Sequence, residues 1–154
     1  MIVVSDTSSV SALLCIAHGD LLRRLYGEVL IPEAVRVELL VFFSDLPEFL
    51  HCRQVLNPGE VERLREELDL GEAKAIVLAR EAHADILLMD ELQGRRVAVR
   101  EGIPIIGLMG VLLQAKGEGL IVPVRQVIER LEAEADFRLS AELKRFTLKR
   151  AGES

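Results

Sequence analysis

Residues 86–90 read Ile86-Leu87-Leu88-Met89-Asp90, four apolar side chains in succession closed by a carboxylate. The run is too short for a helix and has no polar alternation, so it suits a strand buried on both faces in the middle of a parallel sheet. Its flanks support that reading. Gly71 opens a helix over Glu72 to about His83 before it, and another helix covers Leu92 to Arg100 after it, stopping at Gly102. A strand with a helix on either side is the unit of a βαβ crossover.

The same alternation continues in both directions. Downstream, Ile103-Pro104-Ile105-Ile106 reads as a fifth strand. A helix striped by Leu108, Val111, Leu112 and Ala115 follows, ending at Gly117 or Gly119, and Val124–Ala133 and Ala141–Arg150 are two more. Upstream, Ile2-Val3-Val4-Ser5 is the first strand, and Ser8–Ala17 with Asp20–Tyr26 form a helical stretch broken near Gly19. Glu28–Ile31 is the second strand, and Pro32 starts a helix to about Phe43. Arg53–Leu56 is a weaker third strand, and Val61, Leu64 and Leu68 mark a short helix. Right-handed crossovers cover both faces of such a sheet with helices. The expectation is one α/β domain over residues 1–154, three-layered αβα, with a parallel five-stranded sheet.

Half the residues are hydrophobic, which argues against disorder. Aromatics make up 4% with no Trp, so the core is expected to be aliphatic, and aromatic platforms for stacked bases are discounted. Met1–Val4 is too short for a signal peptide, and no apolar run reaches the roughly 18 residues that span a bilayer. A soluble, cytoplasmic protein with no membrane association is expected. The two cysteines, Cys15 and Cys52, form no CxxC, and the three histidines show no HxxxH spacing, which excludes the usual zinc patterns. The net charge of −6 means that any polyanionic partner needs a basic rim or bound cations.

Carboxylates fall where such a fold gathers ligands. Asp6 directly follows the first strand and Asp90 the fourth, at the strand ends where open α/β sheets bind. Each alone could be a helix N-cap. Glu38 shares a helix stripe with Val35, Leu39 and Phe42, so it is expected to face the core, where a carboxylate needs a partner or a metal. Glu72 shares a face with Ala75, Ile76 and Ala79, against a plain reading as a first-turn acid favoured by the helix dipole. An all-oxygen cluster suits a hard divalent cation, with one or two carboxylates bound directly and the rest through water. Such a cation can activate water for in-line displacement at phosphorus.

Several segments together resemble the PIN-domain family: Asp6-Thr7-Ser8, Pro32-x-x-Val35-x-x-Glu38, Leu70-Gly71-Glu72-Ala73 with Ala75-Ile76, and Leu88-Met89-Asp90-Glu91 with Gly94-Arg95-Arg96. More narrowly they resemble its VapC-like prokaryotic branch, and Gly107-x-x-Gly110 with Ala115-Lys116-x-x-Gly119 extends the likeness over nearly the whole chain. The resemblance implies a sheet ordered 3-2-1-4-5 and ribonuclease activity dependent on Mg2+ or Mn2+. It also implies a homodimer and the toxin of a toxin–antitoxin pair held by an antitoxin protein. It implies Asp6, Glu38, Glu72 and Asp90 as the catalytic acids, the metal resting on Asp6, Asp90 and Glu38. Thr7 and Ser8 would orient Asp6 or its water, with Glu91 as a fifth acid. His83 stands where these proteins usually carry glycine.

Arg95 and Arg96, beside that pocket, are the expected RNA-binding cations, since guanidinium groups fork onto phosphate oxygens; Lys116 is a third candidate, for which a solvated surface charge is the better reading. Other readings fit less well. A haloacid dehalogenase-type site needs a second Asp where Ser8 stands, a receiver domain needs a phosphoacceptor where Asn57 stands, and Asp6–Val10 has no glycine for a dinucleotide. The rival with weight is a catalytically inactive PIN-like module that binds RNA or protein.

Overall fold

The computed structural model describes residues 1–121 and 123–153. Its centre is β1 (Val3–Ser5), whose branched side chains favour extended backbone. On one side β1 pairs in parallel with β2 (Val29–Pro32), which pairs with β3 (Leu50–Arg53). On the other it pairs with β4 (Ile86–Leu88), which pairs with β5 (Ile105–Ile106). The order is 3-2-1-4-5, all parallel. The direction of winding reverses beside β1, and that reversal creates the crevice at the strand ends.

Period-two alternation divides the core between the two faces. Val3, Val29, Ile31 and Leu88 join the cluster under α1 (Thr7–Cys15), α2 (Asp20–Tyr26), α3 (Glu33–Phe42), α7 (Leu108–Gly117) and α8 (Val124–Glu134). Val4, Leu87 and Met89 join the cluster under α4 (Pro58–Leu64), α5 (Leu70–Glu81) and α6 (Leu92–Arg100). In α8 the buried residues Val124, Val127, Ile128 and Leu131 follow the i, i+3, i+4, i+7 spacing of one helix face. In α9 (Ala141–Arg150), Leu148 reaches the first cluster, while Leu143 and Phe146 stay exposed. No helix among the described residues is long and apolar enough to cross a membrane.

Some boundaries differ from the sequence reading. β3 lies at Leu50–Arg53 rather than 53–56, because its register is set by β2, from Val29 opposite Leu50 to Pro32 opposite Arg53. It is a mostly exposed edge strand whose polar His51 and Arg53 hid it, whereas Leu56 is in solvent and its N–H donates to Glu81. Pro32 does not open α3 from inside; it ends β2 and takes the N-cap position with extended backbone. α5 begins two residues early, at Leu70, since Asp69 caps it. β5 is shorter than expected: the Ile103 N–H goes back to Ala98, ending α6, and Pro104 has no N–H to give.

Candidate metal centre

Asp6 occupies the N-cap position of α1, with φ −84° and ψ −172°, yet its carboxylate makes no capping hydrogen bond. The residue is 3% exposed, and Oδ1 is buried without a partner among the described residues. Burial, reinforced by the charge of Asp90, pushes its pKa up to about 8. Capping therefore does not account for Asp6. The Ser9 N–H lowers the pKa less than burial raises it, and a buried carboxyl oxygen without a partner is costly and calls for a proton or a cation to balance it.

Asp90 is held firmly. Ser9 Oγ donates to its Oδ2 at 2.5 Å, and the Leu108 N–H donates to its Oδ1 at 2.9 Å. The N-cap of α6 is Glu91, so Asp90 does not cap the helix that follows it. It faces the start of α7 instead, where free N–H groups favour negative charge. Gly107 permits this: a Cβ there would lie 3.0 Å from Asp90 Oδ1 and 2.7 Å from Arg95 Nη1.

Glu38 corrects an expectation. It does not face the core; only Val35 and Leu39 of α3 are buried, and Glu38 and Phe42 look into an open pocket. Thr7 Oγ1 donates to Glu38 Oε2 at 2.6 Å. A Cβ on Gly71 would meet Glu38 Oε1 at 2.8 Å, so glycine gives that carboxylate its place. Glu72 closes a capping box: its N–H donates to Asp69 Oδ1 at 2.8 Å, and its Oε1 accepts from the Asp69 N–H at 3.3 Å. Oε2 makes no bond among the described residues. Burial first, then the charge of Asp69, raise its pKa.

Asp6, Glu38, Glu72 and Asp90, together with Glu91, line one pocket at the carboxyl ends of β1 and β4. Among the described residues, no three Asp, Glu, His or Cys side chains come close enough to enclose an ion by themselves. The unpartnered Oδ1 of Asp6 and the all-oxygen donor set fit a hard cation carried by one or two carboxylates and completed by water, the usual manner of Mg2+.

The other expected residues are placed as follows. The Thr7 hydroxyl goes to Glu38 rather than Asp6, and Ser8 Oγ is buried with no partner among the described residues. Arg95 is half-buried, and its Nη1 donates to the Met89 carbonyl at 3.0 Å. Arg96 is exposed, outside the pocket lining. Lys116 is not gathered into the site: it sits eight residues beyond the Leu108 end of α7 that meets Asp90, about 12 Å along the axis, and pairs with Glu153 at 2.6 Å.

Sequence reasoning missed Ser9, Asp69 and Arg138. Ser9 had a legible signal, a hydroxyl on the buried stripe with Leu13 and Ile16, and Asp69-x-x-Glu72 has the spacing of a capping box. Arg138, in the connection after α8, had none. The composition had also discounted aromatic platforms, yet Phe42, Phe43 and Phe137, three of the five phenylalanines, line this pocket.

A parallel 3-2-1-4-5 sheet between helical layers, with carboxylates gathered at its reversal point, defines a PIN-like αβα protein. The family model described as a PIN domain matches residues 2–153, and the chain belongs to the PIN-domain family. Proteins of this family are generally nucleases, hydrolases that use divalent metals. Nothing among the curated proteins and nothing among the solved structures matches it.

Proposed function

We propose that this protein is a Mg2+- or Mn2+-dependent endoribonuclease, one PIN domain over residues 1–154, working in the cytoplasm as the toxin of a VapC-like toxin–antitoxin pair. The observation that carries the reading is Asp6, a buried carboxyl that caps nothing, keeps an unpartnered oxygen and faces Asp90 across the strand ends. Asp6 and Asp90 would hold the cation directly, and Glu38 would bear on it through water or directly. Glu72 and Glu91 would orient the remaining waters. When bound, the cation supplies a water activated for attack and offsets charge developing on the phosphate. Thr7 steers Glu38, Ser9 and the start of α7 fix Asp90, and Arg96 would meet the RNA backbone. A homodimer and an antitoxin would cover exposed apolar side chains such as Val37 and Val41 on α3.

The absence of a closed three-carboxylate cage among the described residues favours a second reading, a module that binds RNA without cutting it. Incubating purified wild type and Asp6→Asn with RNA and Mg2+ separates the two. Cleavage by wild type alone supports the nuclease. Binding without cleavage by either supports the module.

A further inference from the structure

Charge is unevenly distributed along the chain. Residues 137–150 hold five of its 19 Lys and Arg, namely Arg138, Lys144, Arg145, Lys149 and Arg150, but only Glu142 of its 25 Asp and Glu. Elsewhere exposed arginines commonly pair with an acid three residues away, as Arg23 does with Asp20 and Arg36 with Glu33. On α9 only Lys144 is paired, with Glu132 at 2.9 Å. Arg145, Lys149 and Arg150 are exposed and make no ion pair among the described residues, although Glu142 stands three residues before Arg145. The helix dipole accounts for Lys149 and Arg150 in the last turn, but not for Arg145. These side chains share one outward face. Thr147 and Leu148 are buried and fix the opposite side of α9 to the core. Arg145 with Lys149, and Phe146 with Arg150, are i, i+4 neighbours, and Arg150 Cζ lies 5.7 Å from the centre of the Phe146 ring. α9 runs back along α8: Lys144 meets Glu132, and Glu153, beyond the end of α9, accepts from the Val124 and Arg125 N–H groups at the start of α8. The start of α9 lies three residues after Arg138, and residues 134–138 line the pocket. The basic face therefore leads away from the pocket over about 15 Å.

We propose that the outward face of α9, built on Arg145, Lys149 and Arg150, is a second surface for RNA, which grips the backbone of a strand extending out of the pocket through its phosphates and without reading its bases. The identity of the polyanion rests on the nuclease reading; the surface itself lies outside that site. An acidic protein repels RNA as a whole, so phosphates gain most at a local run of cations that no acid neutralises. Forked guanidinium donors suit phosphate oxygens, and contacts to phosphate position a strand whatever its sequence. A membrane surface fits less well. The apolar side of α9 is buried in the core, which leaves Leu143 and Phe146 as its only large exposed apolar side chains.

Arg145→Ala with Lys149→Ala tests this surface without touching the pocket. In an Asp6→Asn background with Mg2+, binding of a labelled single-stranded RNA of about 20 nucleotides is followed by fluorescence anisotropy from about 50 to 200 mM salt. The double substitution should weaken binding about tenfold at the lower salt. It should also reduce the log–log salt slope by about 1.4, since each phosphate contact on a single strand carries about 0.7. Arg145→Lys with Lys149→Arg should keep both affinity and slope. Arg53→Ala with Arg65→Ala makes the same change of net charge on β3 and on α4, across the sheet from α9, and should leave the slope unchanged. An equal loss in that control overturns the proposal, because overall charge then explains the effect. So do an affinity and slope in the α9 variant equal to those of its parent, including where only its self-association or its binding to anionic vesicles changes. RNA bound through α9 but never cut by wild type counts against the nuclease alone, whereas a parent that binds no RNA overturns both readings.

Discussion

At the scale of single residues, the fate of Asp6 separates the protein's needs with and without metal. Its ordinary pKa lies near 3.8 and burial raises it to about 8, so its contribution to the metal-free fold is in place below pH 4 and is lost as pH rises towards 8. Asp6→Asn is therefore expected to stabilise the metal-free protein at pH 8 by roughly 2 kcal/mol, with little effect at pH 4, while abolishing cleavage. Thermal melts in EDTA at both pH values check this, and a mutant that melts below wild type at pH 8 contradicts it. Gly71→Ala tests the place of Glu38. Helix propensity favours the alanine by roughly 0.5–1 kcal/mol, but its Cβ must displace the Glu38 carboxylate. Stability should hold while cleavage, or the Mn2+ affinity read by calorimetry, falls severalfold. Both acids at the strand ends were legible from sequence because strand-end carboxylates need only the order of elements. Glu38 was legible as a residue but not in its direction, because a stripe at helical spacing does not say where the covering layer ends.

At the scale of elements, helix ends carry most of what the sequence concealed. His83 follows the C-cap of α5 with φ 52°, a left-handed conformation that costs a side chain and suits glycine. His83→Gly should stabilise the protein by about 0.5–1 kcal/mol without touching activity, a gain visible in denaturant midpoints. An unchanged or lowered midpoint would mean that the side chain makes compensating contacts. The spans of α6, α8 and α9 were legible to within a residue or two. The edge strand β3 was not, because its pairing with β2 rather than any apolar pattern of its own fixes its span.

At the scale of the whole molecule, the 3-2-1-4-5 order came from a family resemblance, since alternation of strands and helices dictates a parallel sheet but not its order. The face opposite the first core is tied by ion pairs: Glu101, 11% exposed at its side chain, accepts from Arg63 at 2.6 Å and also from Arg80. Arg63 and then Arg80 pull its pKa from 4.5 to about 2, so its stabilising contribution is in place above pH 4.5 and is lost as pH falls towards 2. Glu101→Gln should cost on the order of 1 kcal/mol at pH 7, shifting Tm by about 2–4 °C, and almost nothing near pH 2. A pH-independent penalty would assign the effect to packing. At this scale too, the proposed homodimer predicts a solution mass near twice the 17.1 kDa chain at micromolar concentration, and a monomer mass would refute it. The central claim, that the acids gathered by β1 and β4 hold a divalent cation for cutting RNA, is tested most directly by following cleavage of a single-stranded RNA by wild-type protein in excess EDTA and after Mg2+ or Mn2+ is restored. The account predicts no cleavage in EDTA and recovery on adding either ion; cleavage undiminished in EDTA would contradict it.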